Sequence, residues 1–267
     1  MNIDPKRLYT MPLIMESWGT RKDSGAKVYN EQQIVDLQFS TDPAAILPLL
    51  PDCYQPTGES IVTAAFVDCG GVDFMAGRGY RIAFMSVRVR YDGKQDHVEG
   101  DYILVMFEND TVPIILGREY LGVPKLFADI SPIRVLSDGH LCCEASLWGH
   151  LLFGIDVGLL SKQDESVVLA ANQNTQDSPL LGYKYIPSMD NIPDASYPTS
   201  TPTNSNLEHL WLGTSGNLFF GNPTSADISV IASVCDQLKT LPVRRIVGTS
   251  RSRGSSVLRT DLSCRLR

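Results

Sequence analysis

The sequence predicts a mainly β (α+β) fold, a barrel or sandwich with a few peripheral helices, and three observations carry that expectation. Apolar and polar residues alternate with period two over Val28 to Phe39 and again over Tyr80 to Tyr91. Short apolar or β-branched runs recur along the chain, separated by turn residues. Helical character is confined to two stretches, Thr41 to Leu47 and Ala226 to Gln237.

Taken in order, residues 1–27 are polar and irregular and read as an arm laid over the domain. The domain itself spans 28–260, and 261–267 form a tail. After the first strand, Thr41 or Asp42 can cap a helix whose first turn holds Pro43, and Pro48 and Pro51 end it. Ser60 to Asp68 is a strand. The strand ending at Tyr91 meets Asp92-Gly93, a hairpin signal, and Gly100 to Glu108 is the apolar strand that follows. Asn109-Asp110 is a turn, and the apolar run Thr111 to Gly117 reads as a short strand. Phe127 to Leu136 and His140 to Trp148 flank Ser137-Asp138-Gly139, a second hairpin signal. Leu151 to Leu160 is a further strand. Gln173 to Asn206 is rich in Pro, Ser, Thr, Asn and Asp and reads as surface loop, interrupted by a strand near Tyr183 to Ile186. Leu210 to Phe220 and Leu241 to Thr249 are strands. The basic stretch from Arg244 to Arg267 reads as a solvated, partly frayed tail.

Composition bounds the function. With 43% apolar and 20% charged residues in 267, a sizeable core is available. A net charge of −7 argues against nucleic acid as a partner, because phosphate binding needs a basic face. No apolar run reaches the roughly 18 residues of a membrane span. The N-terminus has charges of both signs and does not read as a signal peptide. The six cysteines include no CxxC pair and suit neither zinc nor a disulfide scaffold, as expected of a reduced, cytoplasmic protein. His97, His140, His150 and His209 stand apart from one another at no metal-ligand spacing, so neither a metal nor a cofactor is expected. Phosphate-loop, dinucleotide, zinc-protease and nucleophile-elbow motifs are absent.

One segment stands out: Gly117-Arg118-Glu119-Tyr120-Leu121-Gly122-Val123-Pro124-Lys125. Two opposite charges follow an apolar run, Gly122 and Pro124 bend the chain, and Lys125 sits between Pro124 and Leu126-Phe127. A lysine among apolar groups has its charged form disfavoured, and its free amine can attack a carbonyl to form a Schiff base. Residue types alone favour the plainer reading, a surface lysine in a Gly/Pro turn.

The segment resembles the acetoacetate decarboxylase family, whose Schiff-base lysine lies in a Gly-Arg-Glu…Pro-Lys stretch, and whose activated lysine is a standing example of the type. Other pieces agree in order: Val28-Tyr29-Asn30 with Asp42-Pro43-Ala44, then Gly100-Asp101-Tyr102, Tyr183-Lys184-Tyr185-Ile186-Pro187, Trp211 with Gly213, and Leu241 to Val247. The resemblance covers about Val28 to Leu258. It implies a closed β-barrel or β-cone and places Lys125 on the nucleophile.

The departures from the family pattern concern the nucleophile's company. The family's second lysine is here Leu126, its arginine after the opening Asn is Glu31, and two pocket glutamates align with Ala65 and Ile82. Pocket positions turned apolar imply a substrate larger and less polar than acetoacetate. The resemblance implies a Lys125 imine on a β-keto acid or ketone, leading to decarboxylation or to aldol and dehydration chemistry. Arg118 and Glu119 either orient the loop or pair with each other. An imine-independent cyclase, isomerase or dehydratase of a polyketide- or terpenoid-like intermediate stays open, as does a non-catalytic binding protein. Homo-oligomers are expected by analogy alone.

Overall fold

The structure, a computed structural model, describes residues 3, 4, 6–19, 25–175 and 178–267. Parts of the expected arm (1, 2, 5 and 20–24) and of the expected loop (176 and 177) lie outside the described residues. In chain order the strands are β1 (Lys27–Ser40), β2 (Tyr54–Pro56), β3 (Ile61–Val72), β4 (Tyr80–Asp92), β5 (His97–Glu108), β6 (Lys125–Phe127), β7 (Asp129–Ile130), β8 (Arg134–Val135) and β9 (Leu141–Leu147). They continue with β10 (His150–Val157), β11 (Ser161–Lys162), β12 (Leu180–Ile186), β13 (Ala195–Thr201), β14 (Thr203–Gly213), β15 (Gly216–Phe220), β16 (Arg245–Leu258) and β17 (Cys264–Arg265). The helices are α1 (Pro43–Ile46), α2 (Thr111–Leu116), α3 (Glu165–Thr175), α4 (Ser225–Ile228) and α5 (Ala232–Lys239).

Strand alternation sorts side chains onto two faces. Val35, Leu37 and Phe39 of β1, Val62, Ala64 and Phe66 of β3, and Ala83 and Met85 of β4 share one face of the large sheet and one core. A second sheet, in the order β15-β10-β9-β7 with β8 on β9, covers that face. Its Phe153 ring lies 5.1 Å from Phe66 and 6.2 Å from Phe107, so the two sheets interlock through tilted aromatic contacts. The opposite face carries a second apolar cluster, including Val67, Cys69, Tyr80, Ile82, Ile103 and Met106. The central strands are therefore apolar on both sides, which explains why β5 reads as an unbroken apolar run.

The large sheet runs β11-β14-β16-β1-β3-β4-β5-β12-β13-β17, with β2 on β4 and β6 on β5. The mainly β architecture with few helices is as expected, and the hydrogen-bonded path by itself is not closed into a barrel. β13 and β14 are one stretch of chain interrupted at Pro202, a residue with no N–H to give to a ladder. β13 pairs with β12 on one side of that break, and β14 pairs with β16 on the other.

Several elements differ from expectation. The Ser/Thr-rich segment expected as loop does hold the strand read at Tyr183 to Ile186, as part of β12, but it also contains all of β13 and the start of β14. Hydroxyl side chains serve well in strands whose partners satisfy the backbone. The basic C-terminal stretch is no frayed tail: β16 lies between β1 and β14, and Arg267 receives the N–H groups of Gln95 and Asp96 on its carbonyl. Asp42 stands at the N-cap of α1 but makes no side-chain cap; it takes a two-pronged hydrogen bond from Arg244 instead. The helix over Ala226 to Gln237 is broken at Ser229, which has φ 58°. The Asp92-Gly93 hairpin forms as read, with Asp92 opposite His97.

His140 stands just before β9, at the open end of the β9–β10 hairpin. Its Nδ1 lies 2.6 Å from Asp156 Oδ1, and that hydrogen bond holds the imidazole above its ordinary pKa. A raised folded pKa means the contribution to stability is complete below the unfolded value near 6.5 and is lost as pH rises through the folded value. The His140 NMR titration midpoint is expected above that of an unpaired histidine and should fall in Asp156→Asn; an unmoved midpoint contradicts the pairing.

Candidate active site

The site is built where β5 leaves the sheet. Asp110 caps α2 by accepting the N–H of Val112 at 2.9 Å, and Pro113 fits the first turn. The apolar run Thr111 to Gly117, read as a strand, is therefore helical. Gly117–Leu121 continues as a π-helical turn, a form common at functional sites. Gly122 ends it with φ 75°, and a Cβ there would meet Lys184 at 2.7 Å. Val123 N–H then donates to Gly117 O, Met106 N–H to Pro124 O, and β6 lies parallel to β5 with Lys125 opposite Met106.

That register sends the Lys125 side chain to the same face as Met106 and Glu108. Lys125 is 7% exposed and Glu108 is fully buried. Lys125 Nζ donates to Glu108 Oε1 at 2.7 Å and to Pro113 O at 3.2 Å. Among the described residues Glu108 Oε2 has no hydrogen-bond partner. Burial pushes the Glu108 carboxyl above the usual carboxylate range, and Lys125 pulls it part of the way back. A Cβ on Gly117 would lie 2.4 Å from both Cδ and Cε of Lys125, so the glycine leaves the room the lysine stem occupies. Nearby, the Tyr29 and Tyr80 hydroxyls share a buried hydrogen bond of 3.1 Å. Burial lifts both phenols and takes the Cys69 thiol up to about 12, and the charge of Glu108 acts on all three in the same sense. Among the described residues no group of three or more His, Cys, Asp and Glu is arranged to hold a metal. No described helix is long and apolar enough to cross a membrane.

A sequence profile described as "Acetoacetate decarboxylase (ADC)" matches residues 10–262. The chain belongs to the acetoacetate decarboxylase family. A curated acetoacetate decarboxylase from Bordetella avium (strain 197N) is 26% identical over 198 residues, covering 72% of this chain and 73% of that protein. The crystal structure of acetoacetate decarboxylase from Legionella pneumophila superposes with a TM-score of 0.71 at 22% identity, covering 91% of this chain and 87% of its own. The enduracididine biosynthesis enzyme MppR, complexed with the condensation product of pyruvate and imidazole 4-carboxaldehyde, superposes with a TM-score of 0.71 at 15% identity, covering 99% and 98%.

Within this acetoacetate decarboxylase-family fold, the residues singled out in the sequence separate. Ile82 is the cross-strand partner of Glu108 and lies beside the pair. Ala65 is buried further along the same face, opposite Phe84, where it lines a cavity of about 390 Å³. That cavity is mixed in character: Ile34, Phe84 and Ile103 meet Asp36, Asp101 and Gln38. Leu126 turns away from Lys125 and packs against the two-sheet core, so it is not the apolar neighbour expected of it. Glu31 is exposed opposite Gly70, on the face away from Cys69. Arg118 and Glu119 do not pair with each other. Arg118 Nη1 donates to Lys125 O at 2.9 Å, and Glu119 accepts the N–H of Met11 at 3.1 Å. Sequence reasoning missed Glu108. Its one signal was a lone charge closing an apolar strand, in phase with Met106.

Proposed function

We propose that this chain is an acetoacetate decarboxylase-like enzyme in which Lys125 forms a Schiff base with a ketone or β-keto acid. The observation that carries the reading is the seat of the Lys125 amine: buried, free of Leu126, cleared by Gly117 and held by a carboxylate at 2.7 Å. A primary amine held in a dry pocket next to a proton acceptor is equipped to attack a carbonyl. The ensuing iminium withdraws electrons from the adjoining carbon, which supports either loss of CO2 or carbon–carbon bond formation. The complex of MppR with a condensation product favours keeping the second outcome in view.

The test is borohydride reduction in the presence of acetoacetate, acetone or pyruvate, followed by intact mass. A substrate-dependent adduct is expected on the wild-type chain and is expected to vanish in Lys125→Ala. Product formation without any trapped adduct contradicts the imine. Ligand-induced thermal stabilisation without product marks a binding protein instead.

A further inference from the structure

We propose that Glu108 is the acid–base residue of the Lys125 site and that it directs the site toward removal of an α-proton, as in aldol addition and dehydration, rather than toward loss of CO2. The inference rests on the Lys125 imine proposed above and names the substrate class that fits it: a ketone or aldehyde with an α-hydrogen and no carboxylate adjoining the reacting carbon.

The geometry supplies both parts. Glu108 Oε1 receives a hydrogen bond from the Lys125 amine, and Oε2 is buried without a partner. A buried acceptor left unmatched is costly unless something completes it, and substrate is the missing group. Proton transfer from the Lys125 ammonium to Glu108 yields a free amine and a carboxylic acid. The amine nitrogen bonds to the carbonyl carbon, and the C=O electron pair moves to oxygen. That oxygen leaves as water with the two protons the nitrogen gives up, the first from the Glu108 carboxylic acid and the second relayed from nitrogen by the Glu108 carboxylate so formed. An iminium and a carboxylate remain. Glu108 then removes an α-proton, the C–H pair becomes C=C, and the C=N pair returns to nitrogen as an enamine. The enamine carbon attacks an aldehyde, and the new alkoxide takes its proton back from Glu108.

Charge decides between the two fates. Lys125 is already matched by Glu108, Ile82, Met106, Tyr29, Tyr80 and Cys69 around them bring no positive charge, and Arg118, the cation beside them, is engaged with the Lys125 backbone carbonyl. A substrate carboxylate placed there would meet a second carboxylate instead of a cation.

The test is α-hydrogen exchange of acetone in D2O, followed by NMR, beside CO2 release from acetoacetate. The wild-type chain is expected to exchange acetone faster than it releases CO2. Glu108→Gln is expected to slow exchange by ~10²–10⁴-fold, the usual worth of a positioned base, while still giving the end-point borohydride adduct. Glu108→Asp keeps the charge but withdraws it by one methylene, and is expected to retain part of the exchange. Exchange in Glu108→Gln within threefold of wild type, with the adduct still trapped, overturns the proposal. So does CO2 release that outpaces exchange. Absence of any adduct on the wild-type chain overturns the Lys125 imine as well, so the two failures are distinguishable.

Discussion

Glu108→Ala is expected to destabilise the fold by about 3–5 kcal/mol, the usual cost of removing one partner from a buried ion pair. Glu108 is fully buried and Lys125 nearly so. Losing the carboxylate leaves the ammonium with the carbonyl of Pro113 as its remaining described acceptor. The urea midpoint measures this directly, with an unchanged slope as the check on two-state behaviour. A double replacement, Glu108→Leu with Lys125→Met, is expected to recover most of the loss, because apolar residues of similar volume replace a buried pair at little cost. Recovery would show that the pair is kept for chemistry and not for stability. A shift below about 1 kcal/mol in Glu108→Ala, the range of exposed pairs, contradicts a desolvated pair.

Gly117→Ala is expected to disable the site through the seat of the Lys125 side chain. Gly117 has φ −65° and ψ −42°, which alanine adopts freely. Helical preference alone favours the change by about 1 kcal/mol. The new methyl would meet Cδ and Cε of Lys125 at 2.4 Å, and the far end of a lysine is what yields most easily. Displacing it breaks the 2.7 Å contact with Glu108. Misplacement of a reacting group by about 1 Å costs on the order of 10²-fold in rate. The expected result is a ketone-trapping rate down by about that factor, with a loss of stability no larger than that of Glu108→Ala. Wild-type trapping in this variant contradicts the seat assigned to Gly117.

How legible the site was depended on its parts. Lys125 stood in a contiguous motif, so it could be singled out as the candidate without coordinates. Glu108 is 17 residues away in sequence and reaches Lys125 only because β6 adds in parallel to β5. Nothing in the local pattern states that register. The same limit explains Leu126 and Glu31. Next to a nucleophile in sequence means opposite to it in a strand, since successive side chains alternate faces. Ile82 sits beside the pair for the converse reason, a cross-strand neighbour that sequence distance conceals. Thr111 to Gly117 looked like a strand because a short apolar run carries no periodicity of its own; the cap by Asp110 and the early Pro113 were the overlooked signals.

By itself the sequence determined the β-rich class, the Asp92-Gly93 hairpin and the family, and it singled out Lys125, because each is written in adjacent residues through alternation, turn chemistry or a contiguous motif. Only the tertiary structure decided that β16 is interior to the sheet, that the chain changes strand partner at Pro202, from β12 to β16, and that Lys125 faces Glu108. Those are facts of strand pairing between distant segments, and pairing partners leave no mark on either segment alone.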